Sequence, residues 1–398
     1  MKKALFGVAA ATLGVLSLAS CGGNGPKVAN KDKPLIFFNR QPSDPTTGKI
    51  DMDTMNFSNS TYYVGFDAAG GGAVQGKLIT DYLATKTKEE LDKNGDGYLG
   101  YCLFIGDVGH NDSQARTRGI REALGTWDGS TDPSKAKEGK VTVKNGELKV
   151  KELVAKEMKS DAGATWDATS ATAATGTWVA AHKDNIDMFV SNNDGMAMGA
   201  LKAPTFPKGT PIFGYDANTD ALEAIKAGTL TGTVSQNVDA QAIGTLQLVR
   251  NVLDGETGDA VIKKGISEKD KYGNQISAKM EYKADTKALL ALNSGIDASN
   301  VDQYLNTRDA GIKQIDGEKK EVLLTLYNAG DNFLSSSYKP ALQYYAKLMN
   351  INLTIVEGDG QSENICLDKF TNLGSYDAYC VNMVKTNSGA DYIRKIKA

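Results

Sequence analysis

The apolar positions of this chain fall into short continuous runs separated by stretches of helical period. "PLIFFN" (34–39) and "YYVGFD" (62–67) carry apolar residues at successive positions, as strands buried on both faces do. After the second run Val74, Leu78, Ile79 and Tyr82 share one helical face. "YCLFIGDV" (101–108) predicts a strand, and helices are expected from about Asp112 and over Ala171–Ala181. "IDMFVSN" and "PIFGYD" predict strands enclosing a helix over Met196–Ala203, and "LTGTVSQ" predicts another. Ile243, Leu246, Val249 and Leu253 mark the helix after it. Repeated strand-helix units predict an α/β fold of parallel sheets covered by helices on both faces. The polar, turn-rich stretch from about 128 to 150 reads as a surface insertion.

The alternation resumes near the end of the chain. "EVLLTLYN" predicts a strand, Leu342, Tyr345, Ala346 and Met349 a helix, "NLTIVEG" and "DAYCVNMV" two more strands with a helix between, and a last helix runs to Ala398. In a parallel sheet each helix returns the chain to a neighbouring strand. The last helix has no strand after it, and "PLIFFN" has no helix before it. Residues 320–398 and 34 onward are therefore expected to form one continuous domain, cut open between that helix and that strand. This is a circular permutation, tolerated because surface termini can be moved without disturbing a core.

Lys2 and Lys3 followed by the apolar run Ala4–Leu18 read as a secretory signal too short to span a bilayer. Leu18-Ala19-Ser20-Cys21 resembles the bacterial lipobox, which makes residues 1–21 a leader with Cys21 the lipidated first residue of the mature protein. An ordinary signal cut elsewhere is the alternative. Residues 22–33 read as a tether. The remainder of the 398-residue chain exceeds the usual size of a single core, so two domains are expected. A net charge of −3 argues against a nucleic-acid or anionic-membrane surface. With Cys21 lipidated, Cys102, Cys366 and Cys380 cannot form a disulfide framework; one Cys366–Cys380 bridge and buried free thiols both stay open.

Taken in the order 320–398 and then 34–305, the chain resembles the galactose/glucose-binding proteins of bacterial ABC transport, periplasmic binding proteins of the ribose-binding-like class. "YNAGDNF", "FFNRQPS", "YYVGFD", "GHNDSQART", "ATWD", "SNNDGMAMGA", "FGYDA" and "AGTLTGTV" carry the resemblance, and all occur in the family's order once the cut is allowed for. It implies a two-lobed type I fold with three hinge crossings, near Gly65–Phe66, Gln236–Asn237 and Leu290–Ala291. Lobe 1 would comprise 34–65, 237–290 and 320–398, and lobe 2 would comprise 66–236 and 291–305. Residues 306–319 would be the linker created by the permutation, its charge suggesting a solvent-facing path.

The resemblance also implies a hexose site. Asn39, His110, Asp112, Arg116, Asn193, Asp216 and Asp331 would hydrogen-bond the sugar, and Phe333 and Trp166 would sandwich its ring. A hexose presents hydroxyls that donate and accept together with apolar C–H faces, so carboxylates, amides, cations and aromatics are the groups required. Gln236 stands where the family has asparagine, and its longer side chain is expected to reach further or tilt. Singly these residues have plainer roles: Asp331 and Asn193 as helix starts, Asp216 as a turn residue, Phe333 and Trp166 as core, His110 and Arg116 as a surface pair. Their joint position after strand C-termini favours the site, since open α/β sheets place the ligand crevice there.

"DKNGDGYLG" (92–100) matches the start of an EF-hand-type loop, with Asp92, Asn94 and Asp96 at alternate positions, Gly97 sixth and the Tyr98 carbonyl seventh. The bidentate Glu at position twelve is missing. The resemblance implies that a distant acid, Asp187, replaces it, and that Gly100 stands where the family has a glutamine ligand. Calcium is thus the expected cofactor, with a polar turn as the alternative. The expected partners are D-glucose or D-galactose, ABC permease and ATPase subunits and a chemoreceptor, with membrane contact only through the lipid and a monomer in solution. A sensor lipoprotein is the main alternative. A carbohydrate-active enzyme using Asp112 and Asp216 as paired carboxylates is a further one.

Overall fold

The computed structural model describes residues 33–44, 49–130, 132, 134–305, 308–360, 362–369 and 376–397. The leader, Cys21 and all of the tether but its last residue lie outside them. Strands β1 (Leu35–Phe38) and β2 (Thr61–Phe66) come first. The chain then lays down β3 (Tyr98–Ile105), β4 (Gly139–Val143), β5 (Gly146–Glu157), β6 (Met188–Ser191), β7 (Ile212–Phe213) and β8 (Gly232–Ser235). After β9 (Met280–Lys283), β10 (Ala288–Ala291) and β11 (Ser294–Asp297) come β12 (Lys320–Leu326), β13 (Ile351–Glu357) and β14 (Ala378–Val381).

These strands form two seven-stranded sheets, ordered β13-β12-β14-β1-β2-β10-β9 and β11-β8-β7-β6-β3-β5-β4. Pairing is parallel except for the antiparallel edge strands β9, β11 and β4, so the sheets are mixed rather than wholly parallel. The result is the two-lobed α/β architecture of a type I periplasmic binding protein. Counted from β3, the second sheet winds in the order 2-1-3-4-5 through β5, β3, β6, β7 and β8. The first sheet repeats that doubly wound order only when counted from β12, through β13, β12, β14, β1 and β2. The last strand and the first are direct neighbours: Leu35, Ile36 and Phe37 lie opposite Tyr379, Cys380 and Val381 in parallel register.

Period-two geometry explains the continuous apolar runs. Ile36 and Phe38 enter one core cluster of the first sheet while Leu35 and Phe37 enter the cluster on its other face. The second sheet is likewise covered on both faces. The chain passes between sheets after β2, after β8, between β10 and β11, and again between β11 and β12. Cys102, Cys366 and Cys380 are buried free thiols. No helix among the described residues is long and apolar enough to cross a membrane.

Two sequence expectations need correction. The stretch 128–150 is not merely a surface insertion: β4 and the start of β5 pair across Asn145-Gly146, and Val141, Val143, Leu148 and Val150 are buried in the second sheet's core. The stretch 306–319 does not follow a solvent-facing path throughout. Ile312 and Ile315 are buried in the first sheet's core, the Ile315 amide donates to the Leu348 carbonyl, and Arg308 pairs with Asp239 at 2.7 Å. Apolar side chains spaced among charges outweigh the local polarity once a core face is within reach.

Candidate functional site

The C-terminal ends of the two sheets face each other across a cleft lined by Asn39, Arg40, His110, Asp112, Arg116, Trp166, Asn193, Asp216, Gln236, Tyr327 and Asp331. Every predicted sugar-site residue except Phe333 is among them. Phe333 belongs to the apolar cluster of the first sheet, with its ring edge-to-face on Tyr338 at 5.6 Å. Each lining residue follows a strand: Tyr327 and Asp331 follow β12, Asn39 and Arg40 follow β1, and His110 and its neighbours follow β3. Asn193, Asp216 and Gln236 come after β6, β7 and β8.

On the first lobe, Asn39 adopts left-handed backbone (φ 59°), and its side-chain oxygen accepts from Asn382 at 3.2 Å. Asp331 is held at both oxygens: one accepts the Leu334 amide at 3.0 Å, starting the π-helical turn Phe333–Tyr338, and the other accepts the Tyr327 hydroxyl. The capping role and the cleft position therefore coexist. Arg40 lies 3.5 Å over the Tyr327 ring and donates to the Val384 carbonyl. Sequence reasoning missed Arg40 and Tyr327, although both lie inside motifs it used, "FFNRQPS" and "YNAGDNF".

On the second lobe, His110 caps the helix Asn111–Ala123, its Nδ1 accepting the Asp112 amide at 3.2 Å. That bond leaves the proton on Nε2. Burial, reinforced by the positive charges of Arg40 and Arg116, holds the imidazole well below its ordinary pKa and therefore neutral. Asp112 is pushed upward by burial, opposed by Arg116 and Arg40. Arg116 donates to the Asn192 carbonyl at 2.7 Å, approaches Asp216 at 3.4 Å and stacks 3.6 Å over the Tyr215 ring. Asn193 starts the helix Asp194–Leu201, its oxygen accepting the Met196 amide at 2.9 Å.

The Gln236 side chain turns to its own lobe, its amide nitrogen donating to Asp216 at 2.7 Å. Asp216 itself sits at φ 124° and is pushed well above the usual carboxylate range by burial, which outweighs the opposing Arg116 charge. Trp166, at φ 62°, packs against Gly106, where an added Cβ would meet the indole at 2.2 Å. Its ring lies edge-on to His110 at 6.0 Å. Four buried polar atoms of lining residues have no partner: His110 Nε2, Arg116 Nε, Trp166 Nε1 and Gln236 Oε1. Three of these atoms are donors and one is an acceptor, the complement of hydroxyl groups, which both donate and accept.

Residues 27–257 match the family model described as a periplasmic binding protein domain. The chain belongs to that family. A second periplasmic binding protein domain model matches residues 319–389. The D-galactose/methyl-galactoside binding periplasmic protein MglB of Haemophilus influenzae is 32% identical over 233 residues, 58% of this chain and 60% of that one. A putative rhizopine-binding protein of Rhizobium meliloti is 24% identical over 227 residues, 56% of this chain and 59% of that one. The chain thus spans about 60% of the length of these relatives. An ABC transporter solute binding protein from Bacillus halodurans, solved with bound myo-inositol, superposes with a TM-score of 0.43 at 19% identity over 68% of each chain.

The acidic loop lies at the far end of β3. Asp92 accepts the amides of Asp96 and Gly97 at 3.0 and 2.8 Å, and Asp96 accepts that of Tyr98 at 2.9 Å. Asn94 donates to Asn185 at 2.8 Å. Asp187 accepts the Gly100 amide at 2.8 Å and is pushed up to about 7, chiefly by burial, with Asp92 and Asp96 adding repulsion. Gly100 lacks a side chain for a packing reason: a Cβ there would lie 2.0 Å from the Asn185 carbonyl oxygen. The donors are all hard oxygens, the class calcium takes. Yet among the described residues no three acidic, His or Cys side chains are gathered as a metal cluster. The carboxylates serve backbone amides instead.

Proposed function

We propose that this chain is the substrate-binding lipoprotein of an ABC sugar importer, anchored on the periplasmic face through Cys21, and that it binds D-glucose or D-galactose between its lobes by hinge closure. The observation that carries this reading is the cleft itself, where neutral His110, Arg116, three carboxylates and four unpartnered polar atoms lie beside the indole of Trp166. Each carboxylate can accept from two hydroxyls, with charge-assisted bonds contributing roughly 1.5 to 3 kcal/mol each. Sugar touching both lobes has its full contacts only in the closed form, so it favours closure. An enzyme is disfavoured because Asp216 is engaged by Arg116 and Gln236, which leaves it poorly placed to act as a free acid or base.

The permutation belongs to the same proposal. It is supported by the 2-1-3-4-5 order of the first sheet, which closes only when β12 is counted first, and by the separate family match to 319–389. Calcium in loop 92–100 is also proposed; it requires Asp92, Asp96 and Asp187 to turn from backbone amides to the ion. The test of function is isothermal titration of residues 22–398 with D-glucose and D-galactose, repeated on Asp331→Ala. One-to-one binding abolished by the substitution supports sugar binding and the joined ends together. No binding of either hexose by the unaltered chain overturns the sugar assignment.

A further inference from the structure

The two lobes touch directly as well as across the cleft. Ser337, on the π-helical turn after β12, donates to the side-chain oxygen of Asn218 at 3.0 Å. Ser337 is 8% exposed and Asn218 wholly buried. Asn218 belongs to the other lobe, where it precedes the helix Thr219–Lys226, and its amide nitrogen Nδ2 has no partner. Its backbone N–H donates to Asp194 at 2.9 Å. The two residues before it in the same loop, Asp216 and Ala217, are both at positive φ, 124° and 58°. Nearby, a Cβ on Gly195 would stand 3.8 Å from the Cβ of Asn332, so the lobes are in contact over this stretch. At the other rim, Asn111 of the second lobe donates to Ser43 of the first at 3.3 Å.

We infer that the Ser337–Asn218 hydrogen bond is a latch between the lobes that sets affinity without touching the ligand. The inference rests on the hinge-closure reading above and adds the residue pair that tunes it. Opening the lobes exposes both groups to water, whereas closing them removes both from it. Only the closed form therefore contains the bond, and a contact made in one state alone shifts the equilibrium toward that state. The bond also meets the loop that carries Asp216, so closure and the posture of this carboxylate are linked through the positive-φ backbone of Asp216 and Ala217. Ser337 and Asn218 are positioning residues here.

The test is Ser337→Ala, Asn218→Ala and the double variant in residues 22–398, read in two ways. Titration with D-glucose and D-galactose should show Kd raised about three- to tenfold in Ser337→Ala, through faster dissociation. The double variant should be no weaker than Asn218→Ala alone, since the bond can be lost once only. Inter-lobe distances between spin labels at Lys208 and Tyr344, without sugar, should show a smaller closed fraction in Ser337→Ala, with the unfolding midpoint separating this from general destabilisation. Unchanged Kd and unchanged distances would overturn the latch, as would additive losses in the double variant. If the unaltered chain binds neither hexose, the sugar reading fails and the distance measurement alone decides: an unchanged distribution overturns the latch and a reduced closed fraction upholds it.

Discussion

The guanidinium of Arg116 and the carboxylate of Asp216 stand 3.4 Å apart with both side chains only 4% exposed. Arg116 lies on the helix Asn111–Ala123 and Asp216 follows β7, and each is the other's main buried counter-charge. Removing one partner strands the other. Asp216→Ala is expected to destabilise the protein by about 3 to 5 kcal/mol in denaturant unfolding and to abolish hexose binding. Asp216→Asn, which keeps a hydrogen-bonding group for Gln236, should cost less stability while still losing the binding.

Trp166 owes its position to the space left by Gly106. Gly106→Ala puts a methyl group where the indole lies, so the ring must swing away. Saturating the unaltered protein with hexose should change the fluorescence of Trp166, measured against a Trp166→Phe control. Gly106→Ala should lose that response and weaken binding at least about tenfold, because a displaced ring no longer covers the sugar's apolar face.

His110 is neutral in the fold because burial and two arginines oppose its protonation. In the unfolded chain it titrates near 6.5. Above about pH 6.5 both states leave it neutral, so it does not affect the slope. Below that value the unfolded state takes up a proton that the folded state refuses, and stability falls by up to about 1.4 kcal/mol per pH unit until the lowered folded pKa is reached. His110→Asn keeps a helix-capping side chain and should flatten this part of the profile. The raised carboxylates Asp112 and Asp216 act in the opposite sense, so the comparison between the two proteins isolates the histidine.

The lobes were legible because buried strands write themselves as continuous apolar runs, and "PLIFFN" and "EVLLTLYN" differ from alternating strands for that reason. A helix without a successor and a strand without a predecessor pointed to one domain built from both ends of the chain, and in it β1 pairs with β14. Strand β4 and the start of β5 were missed because lysines and glutamates alternate with Val141, Val143, Leu148 and Val150 at a sheet edge, where only one face is buried. The Asn145-Gly146 step at their turn was a readable hairpin signal. Arg40 and Tyr327 escaped because their roles depend on stacking between two loops at opposite ends of the chain, which no local pattern records. Gln236 lines the cleft, but its partner Asp216 became apparent only once the loops after β7 and β8 lay side by side.

Asp187 is pushed up to about 7, by burial first and then by Asp92 and Asp96. A carboxylate raised above its unfolded value favours the fold while it remains protonated. Its contribution therefore declines as pH rises from about 4 to about 7 and is lost above that. A divalent ion in loop 92–100 would supply the missing positive charge and lower the pKa. The metal-stripped protein should accordingly melt progressively lower across this range. Millimolar calcium should raise the melting temperature at pH 8 by several degrees and release a proton on binding near pH 6.5. Asp187→Asn should flatten the pH slope and weaken the response to calcium, and Asp92→Ala should remove that response. An unchanged melting temperature with calcium at pH 8 would leave the loop a polar turn closed by its own backbone amides.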